Sequence, residues 1–516
     1  MHLHPINGAA QRVGADEAAF RHRDKNFAPV VAGIWSDAAD NKANLKWVKD
    51  YYAAIHPHSG SDGGYVDFMS SDDDHRAPAN YGANYERLAA VKATYETTSS
   101  RSTKHHSGER EVSVMTGLTL TQGTRQMHWE PDTSLIDAAR EIAPIIREHS
   151  EEAERERRLS QPVLDALHET GLLRMTTPRS LGGLETDPVT RALVVEEIGR
   201  HDSAAAWTLE NPLDWAFFCC RLPDEGAEEI YSRGADILIA AQFGRPLMAK
   251  STNGGYRISG RAPFVSNCHD ADWISSTVLV DADASTGDEP EMRMVYFPSE
   301  ECEIIDTWNV MGMRGTGSDD ISVTDVYVPK SRTFAMVPNF DPGSHYRGPL
   351  YRLPMVGAAA SGIPTPLLGV ARRALDEVTE LARTKTPVAS SSLLRERALA
   401  QSQLGRAEAI LRAGRLLLLE TLSEAWLRCV DGATHSLEQK ADILLAMAHA
   451  MSSAVQAVEL ACSIAGTTAF RATNPLERCF RDVHTLRHHV FASEARYGTF
   501  GQVRLGVPPD FPVVAF

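Results

Sequence analysis

The spacing of apolar residues along the chain changes period twice. From Asp132 to about residue 235 it is helical: Leu135, Ile136, Ala139, Ile142, Ile145 and Ile146 fall on one stripe. Ser160 then stands as an N-cap before Pro162, with Val163, Leu164 and Leu167 turned inward and Gly171 closing the segment. A third helix is predicted from Asp187-Pro188 to Gly199, and a fourth from about Asp214 through Trp215, Phe217 and Phe218. Between residues 236 and 336 the texture is that of strands, at Ile237 to Ala241, at Tyr256 and Ile258 after the Asn253-Gly254-Gly255 turn, at Trp273 to Val280 and at Met292 to Phe297. After a Pro/Gly-rich connector the helical period returns over residues 350–516. Leu367–Arg383, Leu393–Glu424, Glu438–Cys462 and a segment from Pro475 predict a four-helix bundle.

Ahead of this, residues 1–97 read as an α/β segment. A strand is expected from Phe27 to Trp35, and a helix from Asn41 to Ile55 with Leu45, Val48, Tyr51, Tyr52 and Ile55 on one side. Residues 98–131 are rich in Thr, Ser, Arg, Lys, His and Gln and read as a linker.

Composition narrows the function. A net charge of -16 without a basic stripe argues against nucleic acid and anionic membranes as partners, leaving small-molecule chemistry. The seven cysteines all lie after residue 218, are odd in number and lack metal-ligand spacing, so reduced cysteines in a cytoplasmic protein with no metal are expected. No uninterrupted apolar run reaches about 18 residues, so no membrane span is expected either.

The densest local signal is Thr307 to Lys330, read as a strand, a turn at Arg314-Gly315-Thr316-Gly317-Ser318 and a second strand with alternating Ile321, Val323, Val326 and Val328. Gly315 and Gly317 permit positive φ, Thr316 and Ser318 add hydroxyls, and Arg314 adds a planar cation. Such a turn suits an anionic or electron-rich ligand. An ordinary hairpin uses glycines as well.

Helical domain, β-domain and bundle in that order, with Met313 to Ser318 near the end of the β-domain, resemble the acyl-CoA dehydrogenase superfamily over about residues 132–508. The resemblance implies a multidomain α+β fold: an N-terminal helical domain, a central small β-barrel domain and a C-terminal four-helix bundle. It also implies a flavin against the β-domain and a homotetramer, or a dimer. Phe264-Val265-Ser266-Asn267 stands where dehydrogenases carry Trp-Ile-Thr-Asn or Trp-Ile-Ser-Asn. By that likeness Phe264 packs beside the flavin ring and the Ser266 hydroxyl meets its N5.

Two departures separate the chain from the dehydrogenases. No acidic residue lies between Tyr351 and Gly369, and no Tyr-Glu-Gly-Thr run follows, so the carboxylate that would take a thioester α-proton is missing; that is a loss of about 10²-fold or more. Arg383-Thr-Lys-Thr-Pro-Val-Ala replaces the Arg-x-x-Phe-Gly segment that holds the FAD pyrophosphate, which leaves FMN or FAD open. Arg481-Asp482 followed by His488 and His489 is instead similar to the oxygenase components of two-component flavin monooxygenases. That branch implies reduced flavin from a separate NAD(P)H:flavin reductase, O2 as co-substrate and an active-site histidine. His489 is favoured over His488, on a helix that would face it with Asp482.

The alternative is an acyl-CoA or acyl-carrier dehydrogenase with Glu494 or Glu420 as base; a non-catalytic flavin-binding paralogue is a third reading. Separately, Tyr81-Gly82-Ala83-Asn84 through Val91-Lys92 to Tyr95 resembles the C-terminal segment of berberine-bridge-type FAD-linked oxidases. This implies a fused remnant without activity of its own.

Overall fold

A computed structural model describes residues 129–281 and 290–516, together with 2–5, 27–30, 40–58, 81 and 85–87. The chain divides into two compact units, Met1–Thr119 and Leu120–Phe516. In the first, β1 (His2–Pro5) pairs antiparallel with β2 (Phe27–Val30), and α1 spans Asn41–Ile55 as its apolar spacing predicts. That helix leaves Leu45, Trp47, Tyr51 and Tyr52 exposed. Most of the run resembling the berberine-bridge segment lies outside the described residues.

The second unit opens with helices α2 (Thr133–Glu141), α3 (Ala143–Glu156), α4 (Gln161–Glu169), α5 (Pro188–Gly199), α6 (Ser203–Phe218) and α7 (Asp224–Ile230). Asp132, Asp187 and Asp202 accept backbone N–H groups at the starts of α2, α5 and α6, replacing bonds that a helix cannot make for itself. The fourth expected helix begins eleven residues earlier than predicted, because Asp202 caps the Ser203-Ala204-Ala205-Ala206 run ahead of its aromatic face. Ser160 does occupy the N-cap of α4, but its side chain makes no capping bond.

The β-domain, expected as a small barrel, is a seven-stranded sheet in the order β7-β8-β4-β3-β5-β6-β9. Its strands are β3 (Ile239–Thr252), β4 (Gly255–Ala262), β5 (Trp273–Val280), β6 (Glu291–Pro298), β7 (Glu303–Ile305), β8 (Asp320–Pro329) and β9 (Thr333–Ala335). Its two edge strands are three residues long and unpaired with each other, too short to close a cylinder.

The bundle follows: α8 (Met355–Gly362), α9 (Thr365–Thr384), α10 (Ala398–Val430), α11 (Leu437–Ala465), α12 (Pro475–Leu486) and α13 (Ala495–Arg504). The segment beginning with α11 is long and apolar enough on average to cross a membrane, contrary to expectation. Its Ala-rich surface is instead buried within the bundle, where Ala441, Leu444, Met447, Met451, Ala454 and Val458 are inaccessible.

Candidate flavin and substrate site

Two loops meet at the end of the β4–β8 pair. The ladder runs to Ala262 opposite Ile321, and the chains leaving it stay joined, with the Val265 N–H bonded to the Asp319 carbonyl and the Asn267 N–H to that of Thr316. This brings Ser266 to Ser318, although 52 residues separate them, with their hydroxyls 2.8 Å apart.

The turn itself differs from the expected hairpin. Thr307 to Met313 is not a strand, because the Asp319 carboxylate draws in the N–H groups of Thr307 and Trp308, and Arg314–Thr316 is a short 3₁₀ turn. Positive φ falls on Met313 and Gly317, at 57° and 50°. Gly315 has a different reason: a Cβ there would stand 3.0 Å from the Ala204 Cβ on α6 and 3.3 Å from that of Ala153 on α3. Arg314 gives its Nε to the Glu154 carbonyl and an Nη to that of Val310, each at 3.1 Å. Its cation therefore holds the turn to α3.

Helix α6 covers the two loops. Trp207 donates its Nε1–H to Ser266 Oγ at 3.0 Å, and Thr208 Oγ1 donates to Asn267 Oδ1 at 2.9 Å. Pro212 lies inside α6 and has no N–H, which releases the Thr208 carbonyl from the helix ladder. Asn267 Nδ2 takes that carbonyl at 3.2 Å. A proline that reads as a helix fault is thus what docks α6 on the Ser266 loop.

Helix α12 fixes the turn from the other side. Asp482 accepts the Met313 N–H at 2.7 Å and the Ser203 hydroxyl at 2.5 Å, with Arg478 beside it. Burial pushes its carboxyl up, while Arg478 and those two donors favour its charged form. A Cβ on Gly312 would lie 2.4 Å from the Arg481 carbonyl oxygen, so the two backbones touch.

His489 is not on this helix. Helix α12 ends at Leu486, and His489 caps the short turn Val490–Ala492, its Nδ1 accepting the Phe491 N–H at 3.4 Å. The ring is enclosed even though the residue keeps some accessible surface: Trp207 meets it edge-on at 5.7 Å and Phe491 stacks at 5.6 Å. Burial lowers its pKa to about 4, with the Asp214 charge working the other way. The ring is neutral near pH 7. His488 is exposed.

Four residues on or beside α6 carried no functional signal in the sequence, and the Asp214 charge reaches His489. Asp214, Glu210 and Arg191 are buried together, Arg191 lying 2.8 Å from Asp214 and 3.5 Å from Glu210. Burial, and then the Asp214 charge, push the Glu210 carboxyl well up. Asn211, one helical turn from Trp207, has a buried Oδ1 with no hydrogen-bond partner among the described residues. The spacing of Glu210, Asn211 and Asp214 on α6 was visible; that Arg191 of α5 would be buried against Glu210 and Asp214 was not.

Phe264 differs from all of these, being 68% exposed at a φ of 60°, with Trp308 edge-on at 6.3 Å. An uncovered aromatic face held in a costly backbone conformation beside an ordered row of hydroxyls suits a planar ligand with a polar edge.

Helical domain, central sheet and helical bundle define an acyl-CoA dehydrogenase-like fold. The models of the acyl-CoA dehydrogenase N-terminal and C-terminal domains match residues 135–216 and 361–494. An indole-3-acetate monooxygenase of Pseudomonas putida is 30% identical over 73% of this chain and 93% of its own length. The flavin-dependent monooxygenase oxygenase subunit HsaA of Rhodococcus jostii is 26% identical over 71% and 97%. Among solved structures, XiaF from a Streptomyces species, in complex with FADH2 and glycerol, superposes with a TM-score of 0.69 at 24% identity, covering 74% of this chain and 97% of that one. The chain belongs to the flavin-dependent monooxygenases of the acyl-CoA dehydrogenase superfamily.

Proposed function

We propose that this chain is the oxygenase component of a two-component flavin-dependent monooxygenase. It takes reduced FMN or FAD from a separate NAD(P)H:flavin reductase and oxygenates a small aromatic, polycyclic or heteroatom-bearing substrate. The reaction balances as substrate C–H plus O2 plus two electrons and two protons giving C–OH plus water. Bound reduced flavin supplies the two electrons and activates O2.

The observation that carries this reading is the enclosed, neutral His489 packed on Trp207, whose N–H reaches Ser266. Phe264, Ser266 and the backbone of residues 314–318 would hold the flavin, with Asn267 and Arg314 fixing their loops. His489 and Asn211 face the substrate. With Nδ1 accepting, the neutral His489 ring presents Nε2–H to a substrate oxygen. Taking a phenolic proton at Nε2 needs the other tautomer, which gives up the long 3.4 Å bond to Phe491.

The dehydrogenase alternative has less support. Glu420 and Glu494 are exposed, α8 carries no acid, and the buried acids Glu210 and Asp214 face Arg191. Arg383 pairs with Glu380 on the surface, which suits FMN or a loosely held FAD. Exposed Leu399 and Leu416 on α10 support a homotetramer, and seven unpaired cysteines support a cytoplasmic location. Residues 1–97 are proposed to be a remnant outside the catalysis, so removing residues 1–125 leaves turnover unchanged.

The test supplies NADH, a flavin reductase, FMN and a panel of phenols and indoles. Oxygenated product that depends on the reductase is expected. Reductase-independent oxidation of an acyl-CoA thioester by an artificial electron acceptor would overturn the reading.

A further inference from the structure

The hydroxyls beside Ser266 form a row whose direction is set at both ends. At one end the Trp207 Nε1–H can only donate, so Ser266 Oγ accepts it, at 3.0 Å. At the other end the Met313 carbonyl can only accept, so Thr316 Oγ1 donates to it, at 2.9 Å. Between them lie the Thr316–Ser318 contact at 2.7 Å and the Ser318–Ser266 contact at 2.8 Å.

Each hydroxyl has one proton. That of Thr316 goes to Met313, so the 2.7 Å contact uses the proton of Ser318, and the 2.8 Å contact then uses that of Ser266. The reverse order would leave the Thr316 and Met313 oxygens facing each other at 2.9 Å with no proton between them. Ser266, Thr316 and Ser318 are 6%, 2% and 4% exposed, so water does not compete for these bonds.

Ser266 consequently has no proton to offer and keeps one lone pair. The two redox states of flavin differ at the atom such a hydroxyl would meet: reduced flavin carries a proton on N5, whereas N5 of oxidised flavin is a bare acceptor. We propose that Ser318 and Thr316 are positioning residues that fix Ser266 as a hydrogen-bond acceptor, so that the site takes up reduced flavin and releases oxidised flavin. The inference rests on the reading that Ser266 faces flavin N5. It adds a reason why a protein dependent on a separate reductase would return the spent cofactor.

The test is a pair of titrations of the full chain, anaerobic with reduced FMN and aerobic with oxidised FMN, giving a ratio of dissociation constants. The wild type should bind reduced FMN about tenfold or more tightly, the size of one hydrogen bond made against one denied. Ser318→Ala frees the Ser266 proton, and Thr316→Val lets Ser318 turn its proton toward Ser266. Each should shrink the ratio about tenfold, mainly by tightening oxidised FMN, and lower the midpoint potential of bound FMN by about 30 mV. Ser318→Thr keeps the row and should keep the ratio.

A wild type that binds oxidised FMN as tightly as reduced overturns the proposal. So does an unchanged ratio in Ser318→Ala and Thr316→Val when Ser266→Ala alters it. A ratio that Ser266→Ala also leaves unchanged overturns instead the placement of Ser266 at N5.

Discussion

The two sides of Trp207 are built on opposite terms. Toward the sheet, the hydroxyls of Ser266, Ser318 and Thr316 bond to one another, the loops carrying them are joined by backbone bonds, and Asp482 and Arg314 tie the turn to α12 and α3. Away from the sheet, His489 is nearly bare of polar contacts, and the buried Oδ1 of Asn211, one helical turn from Trp207, has none among the described residues. A buried amide oxygen left unpaired costs about 1–3 kcal/mol, and such atoms are retained where a ligand supplies the partner. Under the proposed function, the difference assigns the pre-organised sheet side to the cofactor and the open bundle side to the substrate.

The largest effect that would sharpen this division is on turnover. His489→Ala should lower product formation by about 10²-fold or more while the affinity for reduced FMN stays within about twofold, whereas His488→Ala should change neither. A parallel fall in FMN affinity would place His489 on the cofactor side.

Next is Asp482→Ala, which removes one of the three carboxylates around Arg478, leaving Asp202 and Glu154, and takes the buried acceptor from the Met313 N–H and the Ser203 hydroxyl. Urea unfolding should show a loss of about 3–5 kcal/mol, and reduced-FMN binding should weaken with it. Flavin affinity unchanged in a destabilised protein would separate the clamp from the cofactor.

A smaller effect follows from the pKa of His489. Burial holds it at about 4 in the folded chain, below its unfolded value of about 6.5. The unfolded state therefore binds the extra proton between those values, and stability falls as pH drops from about 6.5 toward 4, by about 3 kcal/mol at most from this group. His489→Phe should flatten that part of the stability profile. The same slope in both proteins would mean that the ring is not dry.

The smallest is Asn211→Leu, which should raise KM for a donor-bearing substrate about tenfold and leave flavin affinity alone.

Much of the fold was legible because the apolar period changes with the architecture, and the two loops that meet at Ser266 and Ser318 because their glycines and hydroxyls are local. The misreadings are each tertiary. Gly315 looked like a turn residue and is a point of close approach to Ala204 and Ala153. Pro212 carried no functional signal in the sequence, yet the Thr208 carbonyl it frees accepts from Asn267. Asn211 carried no signal, since an unpaired buried oxygen exists only once the elements around it have closed.

The central claim, that this chain inserts one oxygen atom using flavin reduced elsewhere, is tested most directly with ¹⁸O2. In a reductase-coupled turnover of a phenol or indole, the account predicts one ¹⁸O atom in the product and the other in water. Product without label, or reduced flavin consumed to hydrogen peroxide with no oxygenated product across the panel, would contradict it.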